Sequence, residues 1–565
     1  MDADAIVFGA TGFIGRSLVA ELLSRGQRVA AAVRNDTLTP WLAAQGVDTG
    51  RLHIVAADIT RPLAGLPEVR DVYNAAGRFA FGLGVREARA TNVAGALNVL
   101  EWAAELPALR RLVHISGYRV SGDGGTPDYA GLGAYEASKH EGDLAVRTRA
   151  GELEVPLTIV NPSTVIGPGQ YIGLAALVED LWNGRLPALP GGPDTFLPVT
   201  TVDYFVRFLA EVPAAPAGEH YWVLDDDTPL LPALIAAIAD HTGVRAPRRS
   251  IPAALLRRLP RRLTGADPET LAFLSTDRYP TAPARAFAAN AGLEMPPVAD
   301  ALRRWADELV AARFGAASPR LKPYGFSDVA GSRTWVSGER HAPGHVLLHG
   351  LPMNADLWAP LAAHLPGPVL APDLPGLGRS AAAAGPVDAW LADLMGPVRT
   401  RPVLVAHSLA CGPALRFAVD HPDRVSGLAL VSPAFLQAPA PRLARSALAA
   451  PVLRRMSAAR LARRLGVPEG AEVESAAADL GRRGVARRVV AALRADAAGR
   501  RRSRELLDRV KVPVRIVVGS ADPLAEAVGH PVTGIEGAGH YPQLTHPEQV
   551  ASACRGWEPG TSSTA

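Results

Sequence analysis

Short apolar runs alternate with helical patterns along most of the chain. The first half contains the strand-like runs RLHIVAAD, DVYNAAG, RRLVHISG and LTIVNPS, and the second half contains PVLVAHS, GLALVSP and PVRIVVGS. Because each run is short and a helical pattern separates it from the next, the alternation indicates parallel sheets flanked by helices. We therefore expect an α/β protein.

Two passages each begin an α/β region. The first is AIVFGATGFIG at residues 5–15, and the second is HVLLHGLPMN at residues 345–354, preceded by a predicted strand pair around Gly325–Val336. Between them a helical stretch ends near Gly315, and the segment that follows carries the structure breakers Pro319 and Pro323. The chain therefore divides at this segment.

From these signals we predict a first domain over residues 1–315, a linker over 316–324 and a second domain over 325–565. Residues 434–508 interrupt the second domain with an Arg- and Ala-rich, mostly helical insertion. An insertion at this place lies above the carboxyl ends of the strands, where such folds bind ligands, so we predict a lid.

Length and composition agree with a soluble two-domain enzyme. The chain has 565 residues, too many for one ordinary core, and 48% of them are hydrophobic while 20% are charged. The formal net charge of +4 is a mild basic excess, which argues against a nucleic-acid partner. We expect small-molecule substrates.

Two cysteines, Cys411 and Cys554, predict neither a disulfide framework nor a metal site. The first residues run directly into a strand and a glycine turn, which leaves no room for a signal peptide, and no apolar run reaches the roughly 18 residues of a membrane helix. We expect a cytoplasmic protein without a membrane span or a metal. A monomer and a homodimer are both compatible with the sequence.

A glycine-rich turn follows the first apolar strand and opens a predicted helix. Glycine permits a sharp turn and a close approach to a pyrophosphate, and the helix N-terminus offers free N–H groups to the phosphates. The strand–turn–helix context makes the pattern stronger than its glycines alone. It predicts a dinucleotide site formed by Gly9, Thr11, Gly12, Phe13, Ile14 and Gly15.

The second strand, RVAAAVR, ends in Arg34, where an NAD enzyme usually places an acidic residue on the ribose hydroxyls. An arginine there suits a 2′-phosphate through charge-assisted hydrogen bonds, and Arg16 is a second candidate for this role. The alternative is that Arg34 is only a solvated strand end. We predict NADP (NADPH) in preference to NAD.

Tyr135 and Lys139 lie four residues apart on a predicted helix and therefore share one face. We expect the ammonium to lower the pKa of the phenol, so that the phenol exchanges a proton with a carbonyl or alcohol oxygen while hydride moves at a nicotinamide. The pair is common on ordinary helices, and the preceding dinucleotide motif gives it its weight.

The set of motifs, in this order, resembles an extended short-chain dehydrogenase/reductase, which is NAD-dependent epimerase/dehydratase-like, over about residues 4–310. It comprises the glycine turn, Asp58, Asn74–Gly77, Asn92, the Tyr135–Lys139 pair and NPSTVIGPG at residues 161–169. The resemblance implies a Rossmann-type doubly wound parallel sheet and a small substrate lobe over about residues 220–310. It further implies that the cofactor contacts Asp58, Ile59, Ala75, Ala76, Gly77, Pro162 and Val165.

One departure from the family concerns the catalytic hydroxyl after the fifth strand. The family usually carries two adjacent hydroxyl residues there, and the second orients the substrate oxygen; here that position falls on Gly117. We predict that Ser116 substitutes, with Ser121 as the second candidate. If neither reaches the oxygen, turnover is slow or lost while cofactor binding survives. A structural role and an active-site role are both open for Asn92.

A serine nucleophile is predicted in the second domain. Ser408 follows a strand and has the small residues Ala406 and Ala410 two positions to either side, as the tight strand-to-helix turn of a nucleophile elbow requires. Upstream, HGLP at residues 349–352 also follows a strand. We predict an oxyanion hole formed by the backbone N–H groups of Leu351 and Leu409.

Asp522 comes just after a later strand, and His540 lies on a glycine-flanked loop before the last helix. With the order Ser–Asp–His and the APDLPGLGRS loop at residues 371–380, the second half resembles serine α/β-hydrolases over about residues 325–558. The resemblance implies that His540 takes the proton of Ser408 and that Asp522 orients His540. We expect packing or surface roles for Cys411, His407, His530 and His546.

The fold class is thus α/β, a Rossmann-type doubly wound parallel sheet followed by an α/β-hydrolase fold with a helical lid. The leading hypothesis is a bifunctional enzyme that reduces a carbonyl or oxidises an alcohol and also cleaves an ester, thioester or lactone. The alternatives are a hydrolase whose N-terminal half is a cofactor sensor or scaffold, and a pair of binding modules. The arginines of residues 434–508 either favour acidic or carrier-bound substrates or form solvated helix faces.

Overall fold

The computed structural model describes residues 3–78, 83–120, 126–131, 133–256, 274–318, 320–525 and 527–555. The chain divides into two compact units: the first comprises residues 1–175, 187–237 and 247–305, and the second comprises residues 176–186, 238–246 and 306–565. Three segments that the sequence analysis assigned to the first domain, residues 176–186, 238–246 and 306–315, therefore group with the second unit. The domain boundaries predicted at residues 315 and 325 stay predictions.

The first unit is built on a seven-stranded parallel sheet with the order β3-β2-β1-β4-β5-β6-β10. Two small parallel pairs, β7 with β9 and β8 with β11, stand apart from it. Strand order reverses between β1 and β4, which is the position where doubly wound sheets bind their ligands. The strands are β1 Ala5–Phe8, β2 Val29–Val33, β3 Leu52–Ala56, β4 Asp71–Asn74, β5 Arg111–Ile115, β6 Leu157–Pro162, β7 Thr164–Ile166, β8 Leu189–Pro190, β9 Val199–Thr201, β10 His220–Val223 and β11 Ser250–Ile251.

Both faces of this sheet are covered, as the continuous apolar runs predict. Within β1, Ala5 and Val7 belong to one buried cluster, whereas Ile6 and Phe8 belong to the cluster on the opposite face. A π-helical turn, Ala90–Ala94, joins α3 to α4. The helices described up to residue 311 are α1 Phe13–Ser24, α2 Leu38–Ala44, α3 Val85–Arg89, α4 Gly95–Ala104, α5 Ala134–Glu152, α6 Leu174–Asn183, α7 Val202–Glu211, α8 Leu231–Thr242, α9 Ala253–Leu256, α10 Ala282–Asn290 and α11 Val298–Ala311.

The second unit contains an eight-stranded sheet with the order β12-β13-β15-β14-β16-β17-β18-β19. Strands β12, β13 and β15 pair antiparallel, and the strands from β15 to β19 run parallel. The predicted combination of a Rossmann-type sheet and a hydrolase-type sheet is confirmed. The strands are β12 Tyr324–Val329, β13 Ser332–Gly338, β14 His345–Leu348, β15 Val369–Pro372, β16 Val403–His407, β17 Gly427–Val431, β18 Val514–Gly519 and β19 Val532–Ile535.

Four helices, α15 to α18, lie within the predicted lid segment of residues 434–508. One of them, α17, is held by buried charges: Asp479 accepts hydrogen bonds from Arg313 Nη1 at 2.6 Å and from Asn354 Nδ2 at 2.7 Å. The helices after residue 311 are α12 Ala359–Ala362, α13 Val387–Met395, α14 Cys411–Asp420, α15 Ala449–Arg454, α16 Ala458–Leu465, α17 Ala471–Gly481, α18 Val485–Leu507, α19 Pro542–Thr545 and α20 Pro547–Ala553.

Neither sheet is accompanied by a described helix that is long and apolar enough to cross a membrane. Within the described ranges, no three His, Cys, Asp or Glu side chains gather in a way that would hold a metal ion.

Candidate active sites

The glycine turn after β1 is packed too closely to accept side chains. Gly9 has a φ of 76°, and a Cβ there would lie 2.7 Å from the backbone of Ala75; a Cβ on Gly15 would lie 2.1 Å from the carbonyl oxygen of Gly9. Gly12 begins α1 without a side-chain cap, and the first turn of α1 contains no acidic residue. The N–H groups of this turn therefore fit an anionic group such as a pyrophosphate.

The other predicted cofactor residues of the first unit lie at or after the carboxyl ends of several strands. Asp58 and Ile59 follow β3, the segment Ala75, Ala76 and Gly77 follows β4, Pro162 is the last residue of β6, and Val165 lies in β7. Because the strands of the main sheet are parallel, their carboxyl ends meet at the edge that also carries the glycine turn. The main sheet thus brings the residues after β3, those after β4 and the end of β6 to one edge, whereas Val165 lies outside it in the β7–β9 pair.

Arg34 comes directly after β2, is exposed and forms no salt bridge with a described residue. Asp58, on the neighbouring strand end, accepts hydrogen bonds from the backbone N–H of Thr60 at 3.0 Å and from its hydroxyl at 2.8 Å. These bonds, and then the charges of Arg34 and Arg61, hold the pKa of Asp58 below its usual value. An ionised acceptor and an unpaired cation therefore lie side by side at this edge.

Arg16, the second candidate for a phosphate contact, is engaged elsewhere. Its guanidinium lies 4.7 Å from the centre of the Trp41 ring and donates to the carbonyl oxygen of Pro168 at 3.4 Å. Burial lowers its pKa. Of the two arginines, Arg34 fits a 2′-phosphate better because its side chain has no ion pair or ring partner of this kind.

Lys139 lies in α5 and points toward the end of β5. Its Nζ donates to the carbonyl oxygen of Ile115 at 3.1 Å, and a Cβ on Gly77 would lie 3.4 Å from that Nζ. Burial lowers the pKa of Lys139 to about 8, against the opposing charges of Asp143 and Glu136. The ammonium therefore stands between the β4 and β5 strand ends and still carries a proton at neutral pH.

Tyr135 lies one turn before Lys139 on α5. Burial raises the pKa of its phenol, and the negative charge of Glu136 raises it further. The expectation that Lys139 lowers the pKa of Tyr135 is wrong for this conformation, because the cost of burying a phenolate is the largest effect. The phenol is therefore protonated at neutral pH and is not a ready phenolate.

Asn92 lies in the π-helical turn and joins two segments of the site. Its Nδ2 donates to Ser138 Oγ at 2.9 Å, and its Oδ1 accepts from the backbone N–H of Arg78 at 3.0 Å. A Cβ on Gly142 would lie 2.2 Å from the carbonyl oxygen of Asn92, so α5 approaches this turn closely. Through these contacts Asn92 links the segment after β4 to α5, next to the Tyr135–Lys139 pair.

The loop after β5 lacks a hydroxyl at the position where the resemblance expects one. A Cβ on Gly117 would lie 3.7 Å from Lys139 Cβ and 3.3 Å from Val120 Cγ2, so this position faces the lysine stem. Ser116 is 4% exposed, and its Oγ has no hydrogen-bond partner within the described part of the chain. Ser121 lies outside the described residues.

An aromatic group beside Gly117 is missing from the sequence-based prediction. Trp222 Nε1 donates to the carbonyl oxygen of Tyr118 at 3.1 Å, and the Trp222 ring stacks on Tyr279 with 5.6 Å between centroids. The carbonyl of Gly117 itself accepts from Asn161 Nδ2 at 2.6 Å. Tyr118 and Trp222 are 104 residues apart, so no local sequence pattern predicts their contact.

In the second unit, Ser408 directly follows the central strand β16. It has a φ of 54°, the left-handed conformation that a side chain rarely adopts and that presents a nucleophile at a sharp turn. A Cβ on Gly350 would lie 2.5 Å from His407 Nδ1 and 2.8 Å from Ser408 Cβ. Only glycine lets the loop after β14 lie against this turn.

Three predicted residues form a hydrogen-bonded line. The Ser408 hydroxyl donates to His540 Nε2 at 2.9 Å, and His540 Nδ1 donates to Asp522 Oδ2 at 2.7 Å. Asp522 follows β18, and His540 lies between β19 and α19. This is the arrangement in which an imidazole accepts a proton from a serine while a carboxylate fixes its tautomer.

The loop that would form the oxyanion hole is fixed from two sides. His349 Nε2 accepts from the backbone N–H of Leu374 at 2.9 Å, so its Nδ1 carries the proton and donates to the carbonyl oxygen of Gly350 at 3.0 Å. The hydroxyl of Tyr541 donates to the carbonyl oxygen of Leu351 at 2.6 Å. The backbone of residues 350–351 is thereby held rigidly beside Ser408.

The two predicted oxyanion-hole donors are the backbone N–H groups of Leu351 and Leu409. The N–H of Leu351 donates to no backbone oxygen of the described chain. Leu409 lies in the short helical turn Ser408–Ala410, where the first N–H groups have no acceptor within the turn. Both groups are therefore free to donate to an oxygen bound next to the serine.

Gln437 also belongs to this site, and the sequence-based prediction missed it. Its Nε2 donates to Asp522 Oδ2 and, at 3.2 Å, to the backbone oxygen of Asp522, while the Arg500 guanidinium donates to the carbonyl oxygen of Gln437. Gln437 is 5% exposed. Because 85 residues separate it from Asp522, only the fold brings the two together.

The remaining histidines and the cysteine near the serine play packing roles or lie apart. His407 Nε2 donates to the carbonyl oxygen of His540 at 2.8 Å, and burial holds its pKa well below the usual value. His530 contacts the carbonyl of Leu507, and His546 contacts Thr545. The buried Cys411 thiol donates to the carbonyl of Ala406 at 3.1 Å, and burial raises its pKa.

Residues 5–182 match the family model described as "NAD dependent epimerase/dehydratase family", and residues 346–553 match the model described as "Alpha/beta hydrolase family". The hydrolase part is 31% identical over 241 residues to the pimeloyl-[acyl-carrier protein] methyl ester esterase of Neisseria meningitidis, covering 38% of this chain and 93% of that protein. The C-terminal part of the chain belongs to the alpha/beta hydrolase family, and residues 5–182 are similar to the epimerase/dehydratase family. By both it is an enzyme, with an esterase-like hydrolase in its C-terminal part.

The epimerase/dehydratase part has relatives of its own. It is 28% identical over 265 residues to sterol demethylase protein B of Methylococcus capsulatus, covering 45% of this chain and 78% of that protein. It is 26% identical over 284 residues to 3beta-hydroxysteroid-dehydrogenase/decarboxylase isoform 1 of Arabidopsis thaliana, covering 44% of this chain and 64% of that protein. The match to this family model implies a nicotinamide cofactor, which the glycine turn and the edge residues fit.

Proposed function

We propose that this chain is a bifunctional enzyme that couples an NADP-dependent oxidoreductase to a serine esterase. The observation that carries the proposal is the line of hydrogen bonds from Ser408 through His540 to Asp522, at 2.9 and 2.7 Å. A serine and a histidine this close, with the histidine tautomer fixed by a carboxylate, are prepared for acyl transfer.

The proposed hydrolysis proceeds in two steps. Ser408 Oγ attacks the ester carbonyl carbon as its proton passes to His540 Nε2, and the oxyanion accepts hydrogen bonds from the N–H groups of Leu351 and Leu409. His540 then returns the proton to the leaving alcohol, which departs and leaves an acyl-serine. Water, deprotonated by His540, cleaves that acyl-serine and restores Ser408.

The proposed oxidoreductase site uses the residues at the edge of the first sheet. Bound NADP supplies hydride-transfer chemistry. The glycine turn and the first turn of α1 bind its pyrophosphate, and Lys139 and the phenol of Tyr135 face the reacting carbonyl or alcohol. The raised pKa of Tyr135 keeps the phenol protonated, so it can exchange its proton with the oxygen of a carbonyl or alcohol substrate.

Arg34 is the proposed reader of the adenosine 2′-phosphate. Its exposure at the end of β2, without a salt bridge to a described residue, supports a role in binding a doubly charged phosphate. We therefore propose NADP in preference to NAD. Cys411 and Cys554 are buried and form no disulfide within the described chain, which is compatible with a reducing compartment, and we propose a cytoplasmic location.

For the hydrolase part we propose an ester of a small acyl chain carried by a protein. The support is the likeness to the pimeloyl-[acyl-carrier protein] methyl ester esterase, whose length is covered almost completely. For the reductase part, the aromatic group of Tyr118, Trp222 and Tyr279 supports an apolar substrate.

A second candidate function is a hydrolase whose N-terminal part binds the cofactor without turning over a substrate. The missing hydroxyl at position 117 favours this candidate, because the substrate oxygen then lacks one of its usual hydrogen-bond partners. The two candidates differ in whether Tyr135→Phe changes a cofactor-linked activity.

The esterase assignment is tested by labelling the purified chain with a fluorophosphonate and measuring methyl ester hydrolysis. We expect stoichiometric labelling that disappears in Ser408→Ala, with hydrolysis reduced by about 10⁴-fold or more. Ser432→Ala, which removes another buried serine of the same unit, is the control for handling and folding. Labelling that persists in Ser408→Ala would contradict the assignment.

A further inference from the structure

One stretch of the second unit has an unusual charge composition. From residue 425 to residue 468 the chain contains seven arginines and no aspartate, glutamate or lysine. Six of these arginines are exposed, and none forms a salt bridge with a residue in the described ranges: Arg442, Arg454, Arg455, Arg460, Arg463 and Arg464. Outside this stretch the described chain contains exposed arginines of both kinds: Arg185 pairs with Asp180 at 2.9 Å, whereas Arg399 and Arg509 form no salt bridge with a described residue.

The same stretch contains the large apolar side chains that solvent reaches most. Leu443, Leu448 and Val452 are 72%, 74% and 60% exposed, and every other exposed large apolar residue of the described chain is at most 51% exposed. We call these three residues and the six arginines the arginine surface. An exposed apolar patch that polar side chains surround often marks a site of contact with a protein or a membrane.

Helix geometry places these side chains on two faces. Leu448, Val452 and Arg455 follow one another at intervals of four and three residues along α15 and its ends, so they share one face. On α16, Arg460, Arg463 and Arg464 share the outer face, while Leu461 is buried on the inner face. The surface therefore combines a short apolar ridge with a row of cations.

An acidic protein fits this surface better than an anionic membrane. A helix that lies in a membrane interface turns an apolar face outward, commonly with Trp or Phe, whereas α16 buries its apolar face and exposes arginines. Residues 438–468 contain no aromatic residue and no lysine. Arginine binds carboxylates with two parallel hydrogen bonds, which suits a row of Asp and Glu side chains on a partner.

We propose that the arginine surface binds an acidic protein that carries the acyl ester to the hydrolase site. Carboxylates of the partner pair with the arginines, and an apolar side chain between them packs on Leu448 and Val452. This inference rests on the proposed esterase and adds the partner and its binding surface. Pairing at such exposed charges mainly accelerates association and weakens as salt screens it.

The test compares two charge-reversal variants of the full-length chain. Arg455→Glu combined with Arg460→Glu changes the arginine surface, and Arg399→Glu combined with Arg509→Glu changes the net charge equally at exposed arginines outside it. The probes are an acyl carrier protein loaded with an acyl methyl ester and the same methyl ester without the carrier. At low salt we expect KM for the loaded carrier to rise about tenfold or more in the first variant only.

The free ester should be hydrolysed at the wild-type rate by both variants. An unchanged KM for the loaded carrier in the first variant, or an equal rise in both, would overturn the proposal. Fluorophosphonate labelling of Ser408 checks that each variant is folded. If the variant with Arg455→Glu and Arg460→Glu is not folded, the variant with Arg455→Gln and Arg460→Gln takes its place.

Binding without catalysis separates this inference from the esterase assignment. The Ser408→Ala chain is titrated with the unloaded carrier protein and, in parallel, sedimented with phosphatidylglycerol vesicles. If the Ser408→Ala chain binds the carrier and loses this binding when Arg455→Glu and Arg460→Glu are added, the arginine surface is supported. This holds even if the wild type hydrolyses neither ester and the esterase assignment fails. Binding to vesicles without binding to the carrier would overturn the proposal in favour of a membrane.

Discussion

The two candidate sites of this chain differ in how far their own residues complete them. In the hydrolase part, the reacting side chains satisfy one another: Ser408 donates to His540, His540 donates to Asp522, and Asp522 accepts also from Gln437. In the epimerase/dehydratase part, the buried hydroxyl of Ser116 has no described partner, and position 117 offers none.

The difference follows from the chemistry of each reaction. Acyl transfer by a serine needs a proton relay that is aligned before the substrate arrives, and protein groups alone can supply it. Hydride transfer takes its reactive group from a dinucleotide, so the protein mainly supplies a binding edge, a proton donor and a charge. Complete polar pairing is therefore expected in one site and not in the other.

The largest effect that would sharpen this comparison is expected for Tyr135→Phe. Removing the phenolic proton should lower a cofactor-linked carbonyl reduction about 10²–10⁴-fold, while NADPH binding and ester hydrolysis stay at wild-type levels. Tyr204→Phe, at a buried tyrosine of α7, is the matched control. Equal activity in Tyr135→Phe and the wild type would contradict the assignment of Tyr135 as the proton donor.

A smaller effect is expected for the cofactor preference. Arg34→Ala removes charge-assisted hydrogen bonds to a 2′-phosphate, so the Kd for NADPH should rise about 10- to 100-fold while the Kd for NADH stays the same. Cofactor fluorescence in an equilibrium titration measures both constants. Arg86→Ala, at an exposed arginine of α3, should change neither. A parallel loss of NADH binding would contradict a role in reading the phosphate.

Gly117→Ser tests whether the first site lacks a hydroxyl. The new Cβ would lie 3.3 Å from Val120 Cγ2, a contact that a small shift of the valine relieves. If the substrate oxygen lacks a partner, kcat of the cofactor-linked reaction should rise about tenfold, the effect of one added hydrogen bond in the transition state. If instead Ser116→Ala abolishes the reaction and Gly117→Ser does not raise it, Ser116 already supplies the hydroxyl.

The smallest effect concerns Gln437 in the hydrolase part. Gln437→Ala removes a hydrogen bond that orients Asp522, so kcat should fall about three- to tenfold with KM unchanged. Gln549→Ala, at an exposed glutamine of the same unit, is the control. A change in KM alone would assign Gln437 to substrate binding instead of positioning Asp522.

Local patterns in the sequence predict the fold of each part and the principal residues of each site well. The alternation of strands and helices and the glycine turn indicate both sheets, because parallel strands and phosphate-binding turns each impose a residue pattern over a short stretch. The order of Ser408, Asp522 and His540 likewise predicts which side chains the structure joins.

Features that depend on distant parts of the chain escape the sequence-based prediction. Gln437 contacts Asp522, and Trp222 contacts Tyr118, because the fold brings together residues that lie far apart in the sequence. The pKa of Tyr135 was expected to be lowered by Lys139, yet burial, which depends on the whole fold, raises it. The grouping of residues 176–186 with the second unit is of the same kind.

We propose that one chain carries two independent catalytic sites. Selective inactivation of one of these sites is the most direct test. The purified chain is treated with a fluorophosphonate until ester hydrolysis stops, and NADPH binding and NADPH-linked carbonyl reduction are then measured against an untreated sample. We expect loss of hydrolysis with both cofactor readouts unchanged, and loss of the carbonyl reduction alone in Tyr135→Phe. Loss of both activities on labelling Ser408, or NADPH that does not bind at all, would contradict this proposal.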